Sequence, residues 1–264
     1  ASENAFAIQT ELAEAIAQKQ IKIFFQPMCR LSDGALMGAE VLVRWERPGV
    51  GLILPGDFLE VAEKFGLLLQ LDRWVLNEAV CQLSQWITAG LWQAPWRLAV
   101  NRHVMDLQQV DMVDELKRVL QTYGVSAKSL EFEVTEDALL KHTPEQIARL
   151  AQLRALGASV SIDDFGTGYS SLAYLRRLPV SVIKIDKSFV TDMLTDENDA
   201  VLVRAIVDLA HNLGHTVVAE GIERPDQLAH LTRLGVELGQ GFLFDPALSA
   251  EEFACNWLRA ATTA

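Results

Sequence analysis

The stretch ASVSIDDFGTGYSSL (158–172) ends a run of alternating apolar and polar residues at two adjacent aspartates, Asp163 and Asp164. The alternation predicts a β-strand over 158–164 with one polar and one apolar face. The glycines and serines that follow predict a loop. Taken alone, a pair of aspartates at this place is most often a turn or a helix cap, so the surrounding chain has to decide its meaning.

Strands and helices alternate on both sides of this stretch. A helix is predicted from Pro144 to Gly157, a short helix near 170–177, and a strand over 181–186. The remaining strands are predicted at 21–29, 35–45, 96–101, 129–135, 215–221 and 236–241. The remaining helices are predicted at 3–19, 55–66, 68–90, about 107–123, 197–213, 225–234 and 249–261.

About eight strands, mostly separated by helices, predict an α/β protein with a largely parallel sheet. Eight such units in 264 residues favour a (β/α)₈ TIM-like barrel, with a doubly wound open sheet as the alternative. The turn SDG (32–34) joins the first two strands as a hairpin, so we expect an antiparallel first strand. We interpret residues 1–264 as a single domain, with an N-terminal helix in 1–20 leading into the barrel. Because the chain opens ASENAF without Met, we expect a domain cut from a longer protein, with a processed terminus as the alternative.

Charge and cysteine content exclude several classes of function. Lys and Arg number 23 against 35 Asp and Glu, a net charge of −12, which argues against DNA binding and a polybasic membrane surface. The three cysteines are far apart, so neither a zinc site nor a disulfide framework is expected. No apolar run is long enough to enter a bilayer, and no signal peptide is recognisable. The expected location is the cytoplasm, with a membrane anchor elsewhere in a full-length protein left open.

Polar residues gather where the predicted strands end. The set is Asn101, Glu133, Asp163, Asp164, Lys184 and Glu220, and Glu40 lies within the second predicted strand. In a barrel these ends meet at the C-terminal face, where active sites lie. So many converging carboxylates require protons or cations, and oxygen ligands suit Mg²⁺ or Mn²⁺. Asp163 and Asp164 together suit two ions about 3.5–4 Å apart, as in phosphoryl displacement.

Other motifs are absent or incomplete. DFG resembles the magnesium motif of kinases, but the HRD and glycine-rich loops are missing. Neither a dinucleotide fingerprint nor a P-loop is present.

Eight segments in order give the chain a specific resemblance. They are FFQP (24–27), AEVLVRW (39–45), VN (100–101), EFEVTE (131–136), IDDFGTGYSSL (162–172), LPVSVIKIDKSFV (178–190), VVAEGIE (217–223) and GQGFLF (239–244). From about Ala13 to Phe253 the sequence resembles the EAL domain family, phosphodiesterases of the bacterial messenger cyclic di-GMP. The resemblance implies a (β/α)₈-like barrel with an antiparallel first strand, two bound Mg²⁺ or Mn²⁺ ions, and often a homodimer.

The resemblance also implies residue roles. The implied metal ligands are Glu40, Asn101, Glu133, Asp163, Asp164 and Glu220. Of these, Glu40, Asp164 and Glu220 are also implied in catalysis, together with Lys184. The implied substrate contacts are Gln26, Leu42, Arg44, Asp186 and Gln240, the last of them within the water and metal network. Glu136 and Glu223 would hold the DFGTGYSS loop.

The chain departs from the family pattern at two places. The signature triplet reads EVL, and Val41 should face away from Glu40 because adjacent strand residues alternate. After Asn101 the chain has Arg102 and His103 where Leu-Ser is common, which puts a local hydrogen bond in doubt.

The expected function is metal-dependent hydrolysis of cyclic di-GMP to linear pGpG by in-line attack of an activated water. Two alternatives stay open: a non-catalytic cyclic di-GMP receptor, and a barrel lyase that uses Lys184 as a Schiff base or in enolase-like chemistry. The complete set of acidic ligands argues against the receptor. The carboxylates around Lys184 argue against a Schiff base.

Overall fold

The computed structural model describes residues 11–140, 143–167 and 175–262. Its strands are β1 (Ile21–Arg30), β2 (Leu36–Arg47), β3 (Gly51–Ile53), β4 (Arg97–Asn101), β5 (Leu130–Thr135), β6 (Ser159–Phe165), β7 (Val182–Ile185), β8 (Thr216–Ala219) and β9 (Leu238–Gly239). They pair in the order β1-β9-β8-β7-β6-β5-β4-β2, and a further β1–β2 pairing closes the barrel. The predicted TIM-like barrel is therefore confirmed, and the open sheet is excluded.

The first strand runs against both of its neighbours. Ile21 pairs with Trp45 and Gln26 with Glu40 in an antiparallel ladder with β2, and β1 is also antiparallel to β9. The other barrel pairs are parallel. The prediction of an antiparallel first strand is thus confirmed. β2 and β4 approach so closely that a Cβ on Gly38 would lie 2.1 Å from the carbonyl oxygen of Arg97, so glycine is required there.

Helices surround the barrel. The α-helices lie at 11–17, Leu59–Lys64, Leu68–Thr88, Val104–Leu107, Met112–Tyr123, Glu136–Leu140, Pro144–Ala155, Lys187–Asp192, Glu197–Asn212, Pro225–Leu234, Ala250–Phe253 and Arg259–Thr262. A π-helical turn, Ala254–Leu258, connects the last two, and short 3₁₀ turns lie at Pro55–Asp57 and Ala127–Ser129. None of the described helices has both the length and the apolar character needed to cross a bilayer.

Short elements account for the differences from the sequence prediction. The helix predicted over 55–66 is interrupted at Phe58, and the one predicted over 107–123 becomes two helices. Strand β3 and the helices Glu136–Leu140 and Lys187–Asp192 were not predicted, because three to six residues are too few to establish a periodicity. Most of the helix predicted near 170–177 lies outside the described residues, as does the start of the one predicted over 3–19.

The strands alternate between the outer core and the barrel interior. Phe132, Val134 and Ile183 are fully buried under the helices. Inside the barrel, a middle layer of small and apolar side chains consists of Met28, Ala99, Val182 and Val218. This layer separates polar side chains at the two ends of the barrel, and the C-terminal end carries the residues singled out by the sequence.

Candidate active site

Lys184 lies at the centre of the C-terminal end of the barrel, fully buried and surrounded by carboxylates. Its Nζ is 2.6 Å from Glu220 Oε1, 2.8 Å from Glu133 Oε1, and 3.3 Å from both Glu40 Oε2 and Asp163 Oδ1. Because these residues come from four strands and from the position directly after β8, the cluster depends on closure of the barrel. The structure thus brings these residues together at one end of the barrel, while their roles stay predictions.

Two amides complete the network around Glu40. Asn101 Nδ2 donates to Glu40 Oε1 at 2.9 Å. Gln240 Nε2 donates to Glu40 Oε2 at 2.6 Å and to Glu220 Oε1 at 3.1 Å. Each Glu40 oxygen therefore has its own amide donor, which fixes the direction of the carboxylate. Val41, the departure in the signature triplet, packs in the outer hydrophobic core, as expected from strand alternation.

Backbone geometry at the end of β6 turns both adjacent aspartates toward this site. The ladder with β7 shifts register between Ile162 and Phe165. Within that irregularity Asp164 takes a φ of 53°, in the left-handed region that aspartate tolerates better than most residues. As a result, one oxygen each from Asp163, Asp164 and Glu220 lies within 4.8 Å of the others. Regular strand alternation would have placed the two aspartates on opposite faces.

Burial and mutual repulsion shift the protonation of these groups. Burial raises the pKa of Glu220 to about 8 against the attraction of Lys184, and the charges of Asp163 and Glu40 add to the rise. Burial also raises the pKa of Glu133 well above its usual range, with Glu40 contributing. For Asp164, burial and then the charge of Asp163 raise the pKa to about 6.

Lys184 and Glu40 are held in their charged forms. Burial acts to lower the pKa of the Lys184 ammonium, but the four surrounding carboxylates outweigh it and raise that pKa well above its ordinary value. Burial acts to raise the pKa of Glu40, but Lys184 and then the amide of Gln240 lower it overall. The protein itself therefore stabilises Glu40 as an anion.

The site has more carboxyl groups than one ammonium can neutralise once they are ionised. Four carboxylates contact Lys184, and Asp164 adds a fifth beside Asp163. Oε2 of Glu133 is buried without a hydrogen-bond partner among the described residues. Because hard divalent cations prefer carboxylate and amide oxygens, this donor set fits Mg²⁺ or Mn²⁺. The residues that could hold such ions are Glu40, Asn101, Glu133, Asp163, Asp164 and Glu220.

Three of the predicted substrate residues, Gln26, Leu42 and Arg44, belong to the first two strands of the barrel. Gln26 pairs with Glu40 across the β1–β2 ladder, and its Nε2 donates to the carbonyl of Asp245 at 3.3 Å. Leu42 lines a cavity of about 240 Å³ together with Asn101, Asp163 and Asp164. Arg44, two residues further along β2, donates to the carbonyl of Val43 at 2.9 Å and is half-buried.

Asp186 is engaged in the local backbone. Its carboxylate accepts the N–H of Ser188 at 2.9 Å and the hydroxyl of the same serine, which makes it the N-cap of the helix Lys187–Asp192. It also neighbours Asp164, whose pKa it helps to raise. The carboxyl of Asp164 also donates a hydrogen bond to Asp186, which helps to lower the pKa of Asp186.

One of the two predicted loop-holding residues has a visible contact. Glu136 is buried, and its Oε2 accepts the backbone N–H of Gly166 at 2.8 Å, at the start of the loop. Glu223 is exposed, and the residues it would contact at 168–174 lie outside the described residues. Its role stays a prediction.

The two residues that depart from the family pattern have partners that were not predicted. His103 Nδ1 lies 2.8 Å from Asp72 Oδ1, and its backbone N–H donates to Asp72 Oδ2 at 3.3 Å. Arg102 is buried and pairs with buried Asp106 at 3.1 Å. The i,i+4 spacing of Arg102 and Asp106 could have indicated the second pair. No local signal connects His103 with Asp72, 31 residues away.

Comparisons with known proteins agree with this geometry. The chain is 41% identical over 246 residues to the bifunctional diguanylate cyclase/cyclic di-GMP phosphodiesterase MucR of Pseudomonas aeruginosa, covering 93% of this chain and 36% of MucR. It is 44% identical over 249 residues to the cyclic di-GMP phosphodiesterase NbdA of the same species, covering 93% of this chain and 32% of NbdA. The chain thus spans about a third of the length of each relative.

The fold has a close counterpart among solved structures. The complex of the PaMucR phosphodiesterase with c-di-GMP superposes with a TM-score of 0.90 at 40% identity, covering 94% of this chain and 99% of that one. The Bd1971 EAL enzyme, in its form with cAMP and cyclic di-GMP bound, gives a TM-score of 0.91 at 29% identity, covering 96% of this chain and 69% of that one. Residues 9–247 match the EAL domain. This chain therefore belongs to the EAL domain family.

Proposed function

We propose that this domain hydrolyses cyclic di-GMP to linear pGpG in a reaction that depends on two divalent ions, Mg²⁺ or Mn²⁺. The observation that carries the proposal is the set of carboxylates at the end of the barrel: four lie within 3.3 Å of Lys184 Nζ, and oxygens of Asp163, Asp164 and Glu220 lie within 4.8 Å of one another. Two relatives with 41% and 44% identity are named as cyclic di-GMP phosphodiesterases, which supports the same substrate here.

The residues that would hold the ions are Glu40, Asn101, Glu133, Asp163, Asp164 and Glu220. When bound, the ions would supply Lewis-acid activation of a water and would neutralise charge at the phosphoryl group. Lys184 offsets the negative charge that develops when the water attacks one phosphorus in line and one P–O ester bond opens. Glu220 accepts a proton from the water.

Other side chains contact the substrate or support the loop that begins at Gly166. Leu42, Arg44, Gln26, Asp186 and Gln240 contact the dinucleotide or its water network. Leu42 lines the cavity beside Asp163, which supports this assignment. Glu136 and Glu223 hold the loop that begins at Gly166, as the Glu136–Gly166 hydrogen bond supports. The resemblance to EAL domains also favours a homodimer that acts in the cytoplasm.

The test is incubation of the purified domain with cyclic di-GMP in Mg²⁺, in Mn²⁺ and in chelator, with products separated by chromatography. We expect pGpG in either metal and none in chelator. Glu40→Ala and Glu220→Ala should abolish turnover while circular dichroism shows an intact fold. Absence of any metal-dependent product refutes the proposal. Binding of cyclic di-GMP without turnover favours the receptor, and borohydride trapping on Lys184 favours the lyase.

A further inference from the structure

A second cavity lies at the N-terminal end of the barrel, opposite the candidate active site. Its volume is about 580 Å³, within the range of small-molecule sites. Arg97 at the start of β4, Glu131 in β5 and Thr216 at the start of β8 line it. The middle layer of Met28, Ala99, Val182 and Val218 lies between the two ends. The two cavities share no lining residue.

Glu131 places a buried carboxylate in the wall of this cavity. Its side chain is only 4% exposed, and Oε1 has no hydrogen-bond partner among the described residues. Burial raises the pKa of Glu131, while the hydroxyls of Ser159 and Ser161 act in the opposite direction. A buried carboxylate oxygen without a hydrogen bond is costly. Its acceptor capacity is therefore available to a donor that enters the cavity.

Arg97 supplies a cation in the same wall. It is exposed, and within the described parts of the chain no carboxylate forms an ion pair with it. The other charged groups of the cavity already have partners. Arg30 pairs with Asp33 at 2.7 Å, and Glu237 with His211 at 3.1 Å. The cavity thus presents one cation without an ion pair and one buried carboxylate oxygen without a hydrogen bond, and the charge of Arg97 acts on Glu131 without a direct ion pair.

We propose that this cavity binds an α-amino acid with an apolar side chain. The carboxylate of the ligand would pair with Arg97, and its ammonium would donate to Glu131. The apolar side chain would contact Met28, Val182 and Leu238, which line the same cavity. A zwitterion satisfies both uncommitted charges at once, whereas a simple anion or amine leaves one of them without a partner.

The first test measures binding of L-leucine, L-methionine and L-phenylalanine at millimolar concentrations, by thermal shift and then by calorimetry. We expect at least one to bind, and its dissociation constant to rise at least about tenfold in Arg97→Ala and in Glu131→Gln. Arg118→Ala, which removes an exposed arginine from the helix Met112–Tyr123, is the matched control and should bind normally. If Glu131→Gln fails to fold, the exposed Arg97→Ala variant decides alone.

Two further experiments test which groups of the ligand are recognised and which of the two cavities binds it. For a leucine ligand, 4-methylpentanoate lacks the ammonium and 3-methylbutylamine lacks the carboxylate, so each should bind at least about tenfold more weakly. Binding should be unchanged when cyclic di-GMP is present, because the two cavities lie at opposite ends. The proposal fails if none of the three amino acids binds, if binding survives Arg97→Ala, or if cyclic di-GMP competes. Binding of GMP alone, lost in Arg97→Ala, would overturn the amino-acid assignment in favour of a nucleotide.

Discussion

Glu220 should make the metal-free protein less stable as the pH rises through the neutral range. Its pKa in the folded protein is raised to about 8 from 4.5, chiefly by burial. In the unfolded chain the same carboxyl is ionised well below neutrality. Between these two values the folded state holds a proton that the unfolded state does not. The stability from this group is therefore fully present below the unfolded pKa and is lost as the pH rises toward 8.

The size of the effect follows from the linkage relation. One extra proton in the folded state changes the free energy of unfolding by about 1.4 kcal/mol per pH unit. From pH 5.5 to 7.5 the loss attributable to Glu220 is about 2.5 kcal/mol, because the folded state begins to lose this proton as the pH nears 8. For a chain of this size that lowers the Tm by roughly 5–10 °C. Glu220→Gln keeps the shape and the acceptor for Gln240 but cannot ionise, so it should remove this part of the pH dependence.

The assay is thermal unfolding in chelator at pH 5.5, 6.5 and 7.5, followed by circular dichroism. Other groups also titrate, so the informative quantity is the difference in slope between wild type and Glu220→Gln. Glu251→Gln, which removes an exposed carboxylate near the C-terminus, is the control and should follow wild type. Saturating Mg²⁺ should flatten the wild-type curve, because a metal-bound Glu220 stays ionised. Parallel curves for wild type and Glu220→Gln would refute the reasoning.

Three further predictions concern the neighbouring contacts. Lys184→Met leaves two buried carboxylates, Glu40 and Glu133, and two partly buried ones, Asp163 and Glu220, without their cation. The free energy of unfolding of the metal-free protein in urea should fall by about 3–5 kcal/mol; a loss below about 1 kcal/mol contradicts the ion-pair network. Glu136→Ala removes the acceptor for the Gly166 N–H. This variant should keep the fold but lower kcat for cyclic di-GMP about tenfold or more. An unchanged kcat would argue that Glu136 does not position the loop. Arg102→Met leaves the buried Asp106 without its partner and should lower the free energy of unfolding by about 3–5 kcal/mol. The double variant Arg102→Met with Asp106→Leu should recover most of that loss. Equal stability of the single and double variants would contradict this prediction.

Much of the candidate site was predictable because strand alternation is a local property. The pattern in LEFEVT, SVSIDD and SVIKID was enough to place Glu133, Asp163 and Lys184 on one interior face. The structure brings all three within one cluster. What alternation could not give is the position of Asp164. Its approach to Asp163 and Glu220 comes from a register shift and a positive φ, which depend on how β6 pairs with β7.

The sequence by itself determined the barrel, its antiparallel first strand and the set of polar residues at the strand ends. These follow from periodicity, turn residues and motifs that lie within a few residues of one another. Only the tertiary structure decided which groups touch: Lys184 with four carboxylates, Gln240 with Glu40 across 200 residues, and His103 with Asp72. The physical reason is closure of the barrel. It brings distant strands to one axis and removes their side chains from water, and that burial fixes both their partners and their charge.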